Sequence, residues 1–521
     1  MILFHMRKPG SVTVFLTMIF LLVFSLLGVA YDCARMSAAR GYVKVAGSSA
    51  ARTVFGNYNR ELFQEYGLFG YGGYDGRGWE DLNREFLQIL EENIQFSPEN
   101  SFAGIDIYRI HQMQSSIENC AFLTEKDVFY DQISAYLKAK AVSDVTDAIW
   151  GKIKGTSSGE DLGDQLDMAE KYESGDYEEL RAEEQKAPDE SKDSVKDSAG
   201  GNPLETFSQM MRDGVIGMVC RDGNLSEKEI ISREACDESQ GEGESSKKGA
   251  ADFLKQFLKN ENPLENVDKM PKSKRKLLLL AYDREVCSHY LSKEEEGIQY
   301  ALEYLTAGKK EEKSNLASVV NRLLAVRTLL NFAYVATDPA LQEKSLATAT
   351  ALAGFTGLPP VITGVQYTIL LILSFQEACV DVTALLDGKA VPIMKNATNF
   401  KMKYEEICLG SKSLFQKKAS GYGKEKGGTG LNITYKEYLT VFLLLVGEET
   451  LYNRTLNVIQ QDLREKYNQS FCIDDCICES TYQITYEMDY VFKELPFLDK
   501  TQWGQPMGGQ CQEVRYGYKS G

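Results

Sequence analysis

Histidine is nearly absent from this chain, which has three histidines among 521 residues, at positions 5, 111 and 289. Histidine is the usual general base near neutral pH and the commonest metal ligand, so its scarcity argues against histidine-based catalysis and His-rich metal sites. His289 follows Cys287 by two positions in a predicted helix, where the two side chains point about 200° apart. We therefore do not expect them to act as a nucleophile and its base.

Basic residues are outnumbered by acidic ones. The chain carries 75 acidic and 58 basic residues, a formal net charge of −17. Such a field repels the phosphates of nucleic acids, so we predict that the protein has no DNA or RNA partner. The 43% of hydrophobic residues is enough for a sizeable core, and the length allows two or three domains.

The eleven cysteines show no regular spacing, and their odd number leaves at least one unpaired in a monomer. Three of them, Cys472, Cys476 and Cys478, form the one concentrated cluster. The pattern CxxxCxC without a neighbouring histidine fits a structural zinc site poorly, although Cys511 would offer a fourth ligand. Disulfides, free thiols and a metal site all stay open for this cluster.

The glycine-rich stretch from Gly70 to Gly78 follows a predicted helix and matches neither GxGxxG nor GxxxxGK[ST]. It indicates a helix stop and a turn, and not a phosphate-binding loop. Acidic runs such as Glu294 to Glu296 and Glu448 to Glu449 indicate solvated charge. We predict no catalytic, cofactor-binding or metal-binding residue and no cofactor, and hence a protein that is not an enzyme.

Residues Ser11 to Ala30 contain no charge and follow the basic residues Arg7 and Lys8. Twenty such residues form a helix of about 30 Å, the thickness of a bilayer core. The sequence therefore predicts an anchor that contacts membrane lipid through residues 11–30. The basic residues before it favour a cytoplasmic N-terminus and an extracytoplasmic remainder, in a cell membrane protein with a single span.

A cleaved signal peptide is the competing interpretation, because Gly28, Val29 and Ala30 resemble a cleavage site. A retained anchor is favoured by the length of the apolar stretch and by helix-compatible sequence that continues to Tyr66. The small residues Ala30, Ala34 and Ala38 recur at helical spacing, as do Ser37 and Gly41, and are consistent either with an assembly face or simply with good helix formers.

Further along the chain, residues 81–93 and 124–154 look helical, whereas residues 103–118 and 479–492 have the alternation of strands. We expect the two strands to pair, because neither has another partner. Within the helical region, predicted helices cover Lys276 to Ser292, Glu296 to Ala307, Leu316 to Ala336, Leu341 to Gly354 and Tyr438 to Val446.

Residues Ser345 to Gln376 contain no charged residue. A second membrane span is one interpretation of this stretch. Prolines 359 and 360 and three glycines divide it into two shorter halves, however, so we favour a buried helical hairpin.

The predicted fold class is α+β and mostly α-helical, with an N-terminal transmembrane helix and a helical-bundle extracytoplasmic domain that carries a small antiparallel sheet. The predicted segments are a cytoplasmic tail (1–10), the transmembrane helix (11–30), a juxtamembrane helix (31–66), an α/β segment (67–154), a disordered acidic linker (155–202), a short helical segment (203–236), a flexible linker (237–250), a helical domain (251–447) and a C-terminal segment with strands (448–521).

Four stretches together resemble a domain-of-unknown-function family, number 5702, of membrane proteins from anaerobic Gram-positive bacteria. They are GSVTVFLTMIFLLVFSLLGVAYDCARMSAAR, NRELFQEYGLFGY, the central stretch from NLASVVNRLL to PPVITGVQ, and EACVDVTALLDGKAVPIMK. The N-terminus is similar to those of TadE and TadG, pseudopilin-like proteins of tight-adherence pilus systems. Phe15 stands where a prepilin cleaved after Gly10 carries glutamate, and this argues against prepilin processing.

This resemblance implies a membrane-anchored structural or accessory protein of a tight-adherence-type pilus or related secretion system, with protein partners in that assembly. The alternative is a cell-surface binding protein or adhesin without catalytic activity. An enzymatic role, such as cell-wall hydrolysis, lacks a supporting set of residues.

Overall fold

The computed structural model describes residues 10–74, 78–95, 107–108, 110–140, 202–221, 225–233, 272–292, 296–423, 432–488 and 510–518. Two predicted linkers, 155–202 and 237–250, lie outside these residues apart from Asn202. The same holds for positions 1–9 of the predicted tail and for the later part of the predicted helix 124–154.

The helices and strands are, in chain order, α1 (Gly10–Phe55), α2 (Arg60–Tyr66), β1 (Tyr71–Gly72), α3 (Trp79–Ile94), β2 (Ile110–Phe122), α4 (Lys126–Ala139), α5 (Pro203–Asp213), α6 (Val215–Val219), α7 (Lys272–Val286), α8 (Ala301–Ala307), α9 (Glu312–Val335), α10 (Pro339–Ala353), α11 (Pro359–Leu386), β3 (Val391–Pro392), α12 (Lys412–Ala419), β4 (Asn432–Ile433), α13 (Tyr435–Leu443), α14 (Glu448–Lys466), β5 (Cys476–Met488) and β6 (Gln510–Gly517). The predicted fold class, α+β and mostly helical with a small antiparallel sheet, is confirmed.

The chain divides into two compact units, the first formed by Met1–Gln132 with Asn468–Gly521 and the second by Ile133–Tyr467. The division falls within α4. Helix α14 belongs to the second unit, whereas the sequence grouped it with the C-terminal strands; buried residues Leu451, Leu456 and Ile459 give it a core-facing side.

A four-stranded antiparallel sheet forms the framework of the first unit. Strand β5 is central, with β2 along one edge and β1 and β6 along the other. The predicted pairing of the early and late strands is therefore confirmed, for example by Ile117 opposite Tyr482. The sheet lies in the unit that contains α1, and not in the helical domain to which the sequence assigned it.

Helices α1 and α3 pack against one face of this sheet. The apolar side chains of the core come from all these elements, because β5 alternates buried and less buried residues as a strand with one covered face must. The rings of Phe86 and Tyr482 stack with centroids 3.8 Å apart. The core consists of Val43, Ala46, Ala50, Ala51, Val54, Phe55, Tyr71, Leu82, Phe86, Leu90, Ile94, Ile477, Tyr482, Ile484, Tyr486 and Val514.

The predicted juxtamembrane helix is in two pieces. Helix α1 ends at Phe55, and α2 begins at Arg60 and ends at Tyr66. Between them, Gly56 closes the first helix on the carbonyls of Arg52 and Thr53, and the Asn59 side chain caps α2 by accepting from the Leu62 amide at 2.9 Å. The expectation of one helix to Tyr66 was wrong, because a Gly and a capping Asn provide a stop and a restart.

The second unit is helical. Helix α11 packs against both α9 and α10, and α12 and α6 also pack against α11. Helix α8 packs against α9, α13 and α14, and α7 packs against α13 and α14. Asp338 caps α10 through the amides of Ala340 and Leu341, both at 3.0 Å, ahead of Pro339. The predicted helices of this region are present, although Glu296 to Ala307 forms a helix only from Ala301.

Gly47 allows α1 to approach the sheet closely. A Cβ atom there would lie 2.7 Å from Cδ1 of Ile484 and 3.0 Å from Cγ2 of Val514. Replacing Gly47 by leucine should therefore push the helix from the sheet and lower the free energy of unfolding of this unit by about 2 kcal/mol. Thermal unfolding of the detergent-solubilised full chain measures the effect.

Gly41 provides the matched control on the same helix. A Cβ atom at Gly41 meets nothing within 4 Å, so Gly41→Ala gains helix propensity without a clash and should leave the unfolding temperature unchanged or higher. An equal loss of stability in both variants would show that the helix itself, and not its contact with the sheet, responds.

Candidate membrane anchor and buried charge cluster

The N-terminal part of α1 exposes apolar side chains along its length. From Val12 to Val29 almost every large hydrophobic residue is exposed, and only 6% of the most apolar stretch of this helix is buried. Exposing so much apolar surface to water is costly, whereas a bilayer core accommodates it. The structure thus has an N-terminal apolar helix suited to anchoring the chain in a membrane, as predicted.

Two further helices among the described residues are long and apolar enough to cross a membrane, Glu312–Val335 and Pro359–Leu386. Their most apolar stretches are 50% and 89% buried. The predicted helical hairpin is present as α10 and α11. The expectation that the whole hairpin is buried was wrong, because most of α10 and the first turns of α11 are exposed or half-buried. Its second helix is longer than expected, because Pro359 and Pro360 stand in its first turn, where proline is tolerated, and so do not shorten it.

A charged pair marks the place where α1 leaves its apolar stretch. Asp32 Oδ1 and Arg35 Nη1 lie 3.2 Å apart and are largely buried, and Arg35 Nη2 donates to the carbonyl of Tyr108 at 3.3 Å. Farther along, Arg40 donates to Oε1 of Gln510 on β6. From this point α1 is a component of the folded unit.

The proposed small-residue face is exposed. Ala30, Ala34, Ser37, Ala38 and Gly41 all lie on the open side of α1. Exposure leaves this face accessible to another helix, and the assembly role stays a prediction.

The second unit encloses a cluster of four charges with no exposed side-chain surface, Arg327, Glu377, Asp381 and Lys395. Arg327 donates to Asp381 Oδ2 from Nη2 at 2.7 Å and from Nε at 3.0 Å. Lys395 Nζ donates to Asp381 Oδ1 at 2.7 Å and to Glu377 Oε1 at 2.6 Å. Two cations and two carboxylates therefore balance within one buried group.

Neutral polar groups complete this cluster. Tyr422 donates its hydroxyl proton to Asp381 Oδ1 at 2.6 Å, and Asn331 donates to Asp381 Oδ2 at 3.0 Å. Arg327 Nη1 also donates to the carbonyls of Pro392 and Ile393, both at 3.0 Å. The cluster thus joins α9 and α11 to the chain segment that follows β3.

Electrostatics keep Asp381 ionised. Burial opposes ionisation of Asp381, but the charges of Arg327 and Lys395 outweigh it and lower the pKa of this carboxyl. Burial, together with the carboxylates of Asp381 and Glu377, raises the pKa of Tyr422, which stays a hydrogen-bond donor. The four charged side chains are shielded from solvent, so the cluster can fix the helices but offers no site for a substrate.

This cluster was not predicted from the sequence. Its signal was the pair Glu377 and Asp381, four residues apart in the otherwise apolar stretch FQEACVDVTALL, so that both face one side of a helix. Two carboxylates on a buried helix face require cations, which come from distant positions 327 and 395.

Removing one member should leave an uncompensated buried charge. We expect Arg327→Met to lower the free energy of unfolding by about 4 kcal/mol, as measured by thermal unfolding. The double variant Arg327→Met with Asp381→Leu retains the balanced pair of Lys395 and Glu377 and should be less destabilised than the single variant.

Lys344→Met is the control, because it breaks an exposed pair with Glu405 on the same unit. Its effect should stay below about 1 kcal/mol. A double variant less stable than Arg327→Met would contradict the role of charge balance.

A second group of buried ionisable residues surrounds the C-terminal end of α7. Glu303 Oε1 accepts hydrogen bonds from the Tyr435 hydroxyl at 2.6 Å and from the Tyr290 amide at 2.9 Å. Burial raises the pKa of Glu303 to about 7. Burial likewise raises the pKa of Asp283, against the opposing hydrogen bonds from the Thr455 hydroxyl.

The histidines do not create a catalytic arrangement in the described residues. Burial lowers the pKa of His289, and the positive charges of Lys436 and Arg284 lower it further, to about 4. Its Nδ1 accepts a hydrogen bond from the Leu291 amide at 3.2 Å. Burial raises the pKa of the neighbouring Cys287 thiol, so it is not a ready nucleophile. His111 lies in β2, as expected, and His5 lies outside the described residues.

Glu303 should make stability fall as pH rises. Its folded pKa of about 7 exceeds the ordinary value of 4.5, so between these values the folded protein holds a proton that the unfolded chain has released. Glu303→Gln keeps the acceptor oxygen without ionising. The variant should therefore gain stability relative to the parent as pH rises from 5 to about 7.

The measurement is the difference in unfolding temperature between variant and parent at each pH. His289 changes stability with pH in the opposite direction, because its lowered pKa makes the folded state less stable below pH 6.5, the ordinary pKa of histidine. This effect is the same in variant and parent, so it cancels in the difference. Glu405→Gln, on an exposed carboxylate, serves as the control. A constant difference across this range would show that Glu303 does not titrate there.

The clustered cysteines are free thiols in the structure. Cys476 and Cys478 are buried, which raises both thiol pKa values, and Cys478 Sγ lies 3.2 Å from the Phe69 carbonyl and from Nε2 of Gln132. Among the described residues no group of three or more possible ligands is placed to hold a metal ion.

The suggestion that Cys511 completes a metal site with this cluster was wrong. Cys511 pairs with Thr485 on β5, nine positions along the strand from Cys476. At about 3.3 Å per residue the two thiols are separated by roughly 30 Å of extended strand, too far to share an ion.

The comparisons with known proteins give a family and no characterised relative. No curated protein and no solved structure matches the chain. The model of a family of unknown function, DUF5702, matches residues 193–488, more than half of the chain. This range excludes α1, so the likeness of the N-terminus to TadE and TadG stays a prediction. The chain belongs to the DUF5702 family.

Proposed function

We propose that this protein is a membrane-anchored extracytoplasmic structural or accessory protein of a tight-adherence-type pilus or related secretion system. Residues 11–30 hold it in the cell membrane as a single span with a cytoplasmic N-terminus. The remaining chain lies outside the cytoplasm, where protein partners of the assembly bind it.

The observation that carries the proposal is the continuity of α1. One helix of 46 residues begins with exposed apolar side chains and ends in the core of a folded unit, with no interruption between Gly10 and Phe55. At about 1.5 Å per residue it extends roughly 70 Å, more than twice the thickness of a bilayer core. A pseudopilin-like component requires such a helix, which anchors at one end and carries its domain at the other.

The described buried groups support a structural role. The charge cluster around Asp381 is enclosed and internally balanced, and the thiols of Cys476 and Cys478 are buried with raised pKa values. These groups stabilise packing, so recognition in this proposal falls to surfaces such as the exposed face of α1.

The test is complementation of a strain from which the gene has been deleted. The parent gene should restore surface filaments seen by negative-stain electron microscopy, whereas Leu22→Arg with Leu26→Arg should not. Both leucines are 67% exposed, and each arginine at the centre of a span costs about 3 kcal/mol. A protein with a C-terminal epitope should lose that epitope when intact cells are treated with protease.

Val45→Arg is the matched control, because Val45 is 70% exposed on the same helix but lies beyond the predicted span. It should restore filaments as the parent does. Normal filaments in the deletion strain would overturn the pilus role, and a loss of surface adhesion alone would favour the adhesin alternative. An epitope protected from protease would overturn the orientation.

A further inference from the structure

The hairpin of α10 and α11 ends in an exposed apolar tip, which we define as residues 354–362. Phe355 is 73% exposed and Leu358 is 57% exposed, and the prolines that open α11 are also exposed. The left-handed Gly357 reverses the chain between them, and a Cβ atom on it would meet nothing within 4 Å. The tip therefore projects from its surroundings in the second unit.

The tip and the arms beside it lack charge. No Asp, Glu, Lys or Arg occurs from Ser345 to Gln376, while Glu343 and Lys344 stand at the base of the first arm. Leu346 and Tyr367 add exposed apolar surface to the arms. Surface segments of soluble proteins rarely extend this far without a charge, and a contiguous apolar patch marks a contact surface.

The hydroxyl groups of this hairpin are satisfied internally. Each threonine from 348 to 368 donates to a backbone carbonyl of its own helix or turn, at 2.7–3.1 Å: Thr348 to Lys344, Thr350 to Leu346, Thr356 to Ala353, Thr363 to Pro359 and Thr368 to Gly364. The amides of Val361 and Ile362 bond to the Leu358 carbonyl, and the two prolines have no amide proton. Such internal pairing is what a hydrocarbon environment demands of polar groups.

The occupant that fits this surface is lipid. A polar protein surface would pair with charged groups or with free hydrogen-bond donors on the tip. The tip instead presents apolar side chains, and its threonine hydroxyls already donate to backbone carbonyls. The buried part of α11 limits the depth of insertion, because residues from Ile369 onward are mostly packed within the unit. Residues 359–368 rise about 15 Å, half the thickness of a bilayer core, so the hairpin can dip into one leaflet but cannot span.

We propose that the tip of the α10–α11 hairpin inserts into the surface of a lipid bilayer, as a membrane contact separate from the α1 anchor. The inference rests on the proposed function in one respect, since anchoring by α1 keeps a bilayer within reach of the chain. The tip then restrains the second unit at the membrane.

Photo-crosslinking of the full chain in vesicles of phosphatidylcholine and phosphatidylglycerol tests this. Phe355 is replaced by p-benzoylphenylalanine, and adducts with radiolabelled lipid are counted after irradiation. Phe20, 68% exposed in the α1 span, reports on the anchor, and Ile231, 69% exposed on the second unit, is the matched negative control. We expect lipid adducts at positions 355 and 20 and not at 231.

A second substitution tests whether the lipid adduct at position 355 depends on the apolar character of the tip. With the photoreactive residue at 355, Leu358→Asp should lower the lipid adduct about tenfold, because a carboxylate beside it resists transfer into lipid. Leu409→Asp, at a 60% exposed position outside the hairpin, should leave the adduct unchanged.

The outcomes separate the two proposals. Lipid adducts at position 20 but not at 355 overturn the inference about the tip and support the α1 anchor. Lipid adducts at position 355 but not at 20 support the inference about the tip and overturn the α1 anchor. A crosslinked dimer at 355 in place of a lipid adduct would identify a second copy of the chain as the occupant. Equal adducts at 355 and 231 would also overturn the inference.

Discussion

The first unit depends on a helix that has to suit two surroundings. In hydrocarbon every backbone amide and carbonyl must be paired within the segment, which a helix achieves. Beyond Asp32 the same helix presents Val43, Ala46, Ala50 and Val54 to a sheet, and a glycine at position 47 lets it approach closely. The second half of α1 is therefore as much a core element as β5, and the anchor and the fold share one continuous backbone.

The second unit is organised around charge rather than around apolar packing alone. Desolvating four ionised groups is expensive, and a buried ion pair does not by itself increase stability over an apolar core. The cluster instead makes the packing of the helices selective, because the buried charges balance only when Asp381 contacts both Arg327 and Lys395. A packing of α9 against α11 that separates them would leave a buried ion unpaired, so the cluster fixes which packing is adopted.

Features with local causes were predictable from the sequence. The apolar run that begins at Ser11 predicted the anchor. The alternation of residues in β5 predicted a strand, and the prolines and glycines near residues 354–360 predicted the hairpin. The buried charge cluster was not, because its cations stand far from its carboxylates in sequence and no spacing rule joins them. The helix break at Gly56 was missed for a different reason, since one glycine in helix-compatible sequence is a weak signal and the cap at Asn59 acts only once α2 forms. The placement of Cys511 required the strand register, which the sequence does not state.

The central position of β5 also affects how the protein is made. Residues 1–132 and 468–521 form one unit, and β5 and β6 supply the surface on which the core face of α1 packs. At roughly 5–20 residues per second, synthesis from Phe55 to Tyr518 takes about half a minute to a minute and a half. During that interval α1 has been synthesised, but the strands that cover its residues from Val43 to Phe55 have not. Until β5 and β6 have been synthesised, the nascent chain therefore carries the apolar core face of α1 without the sheet that covers it.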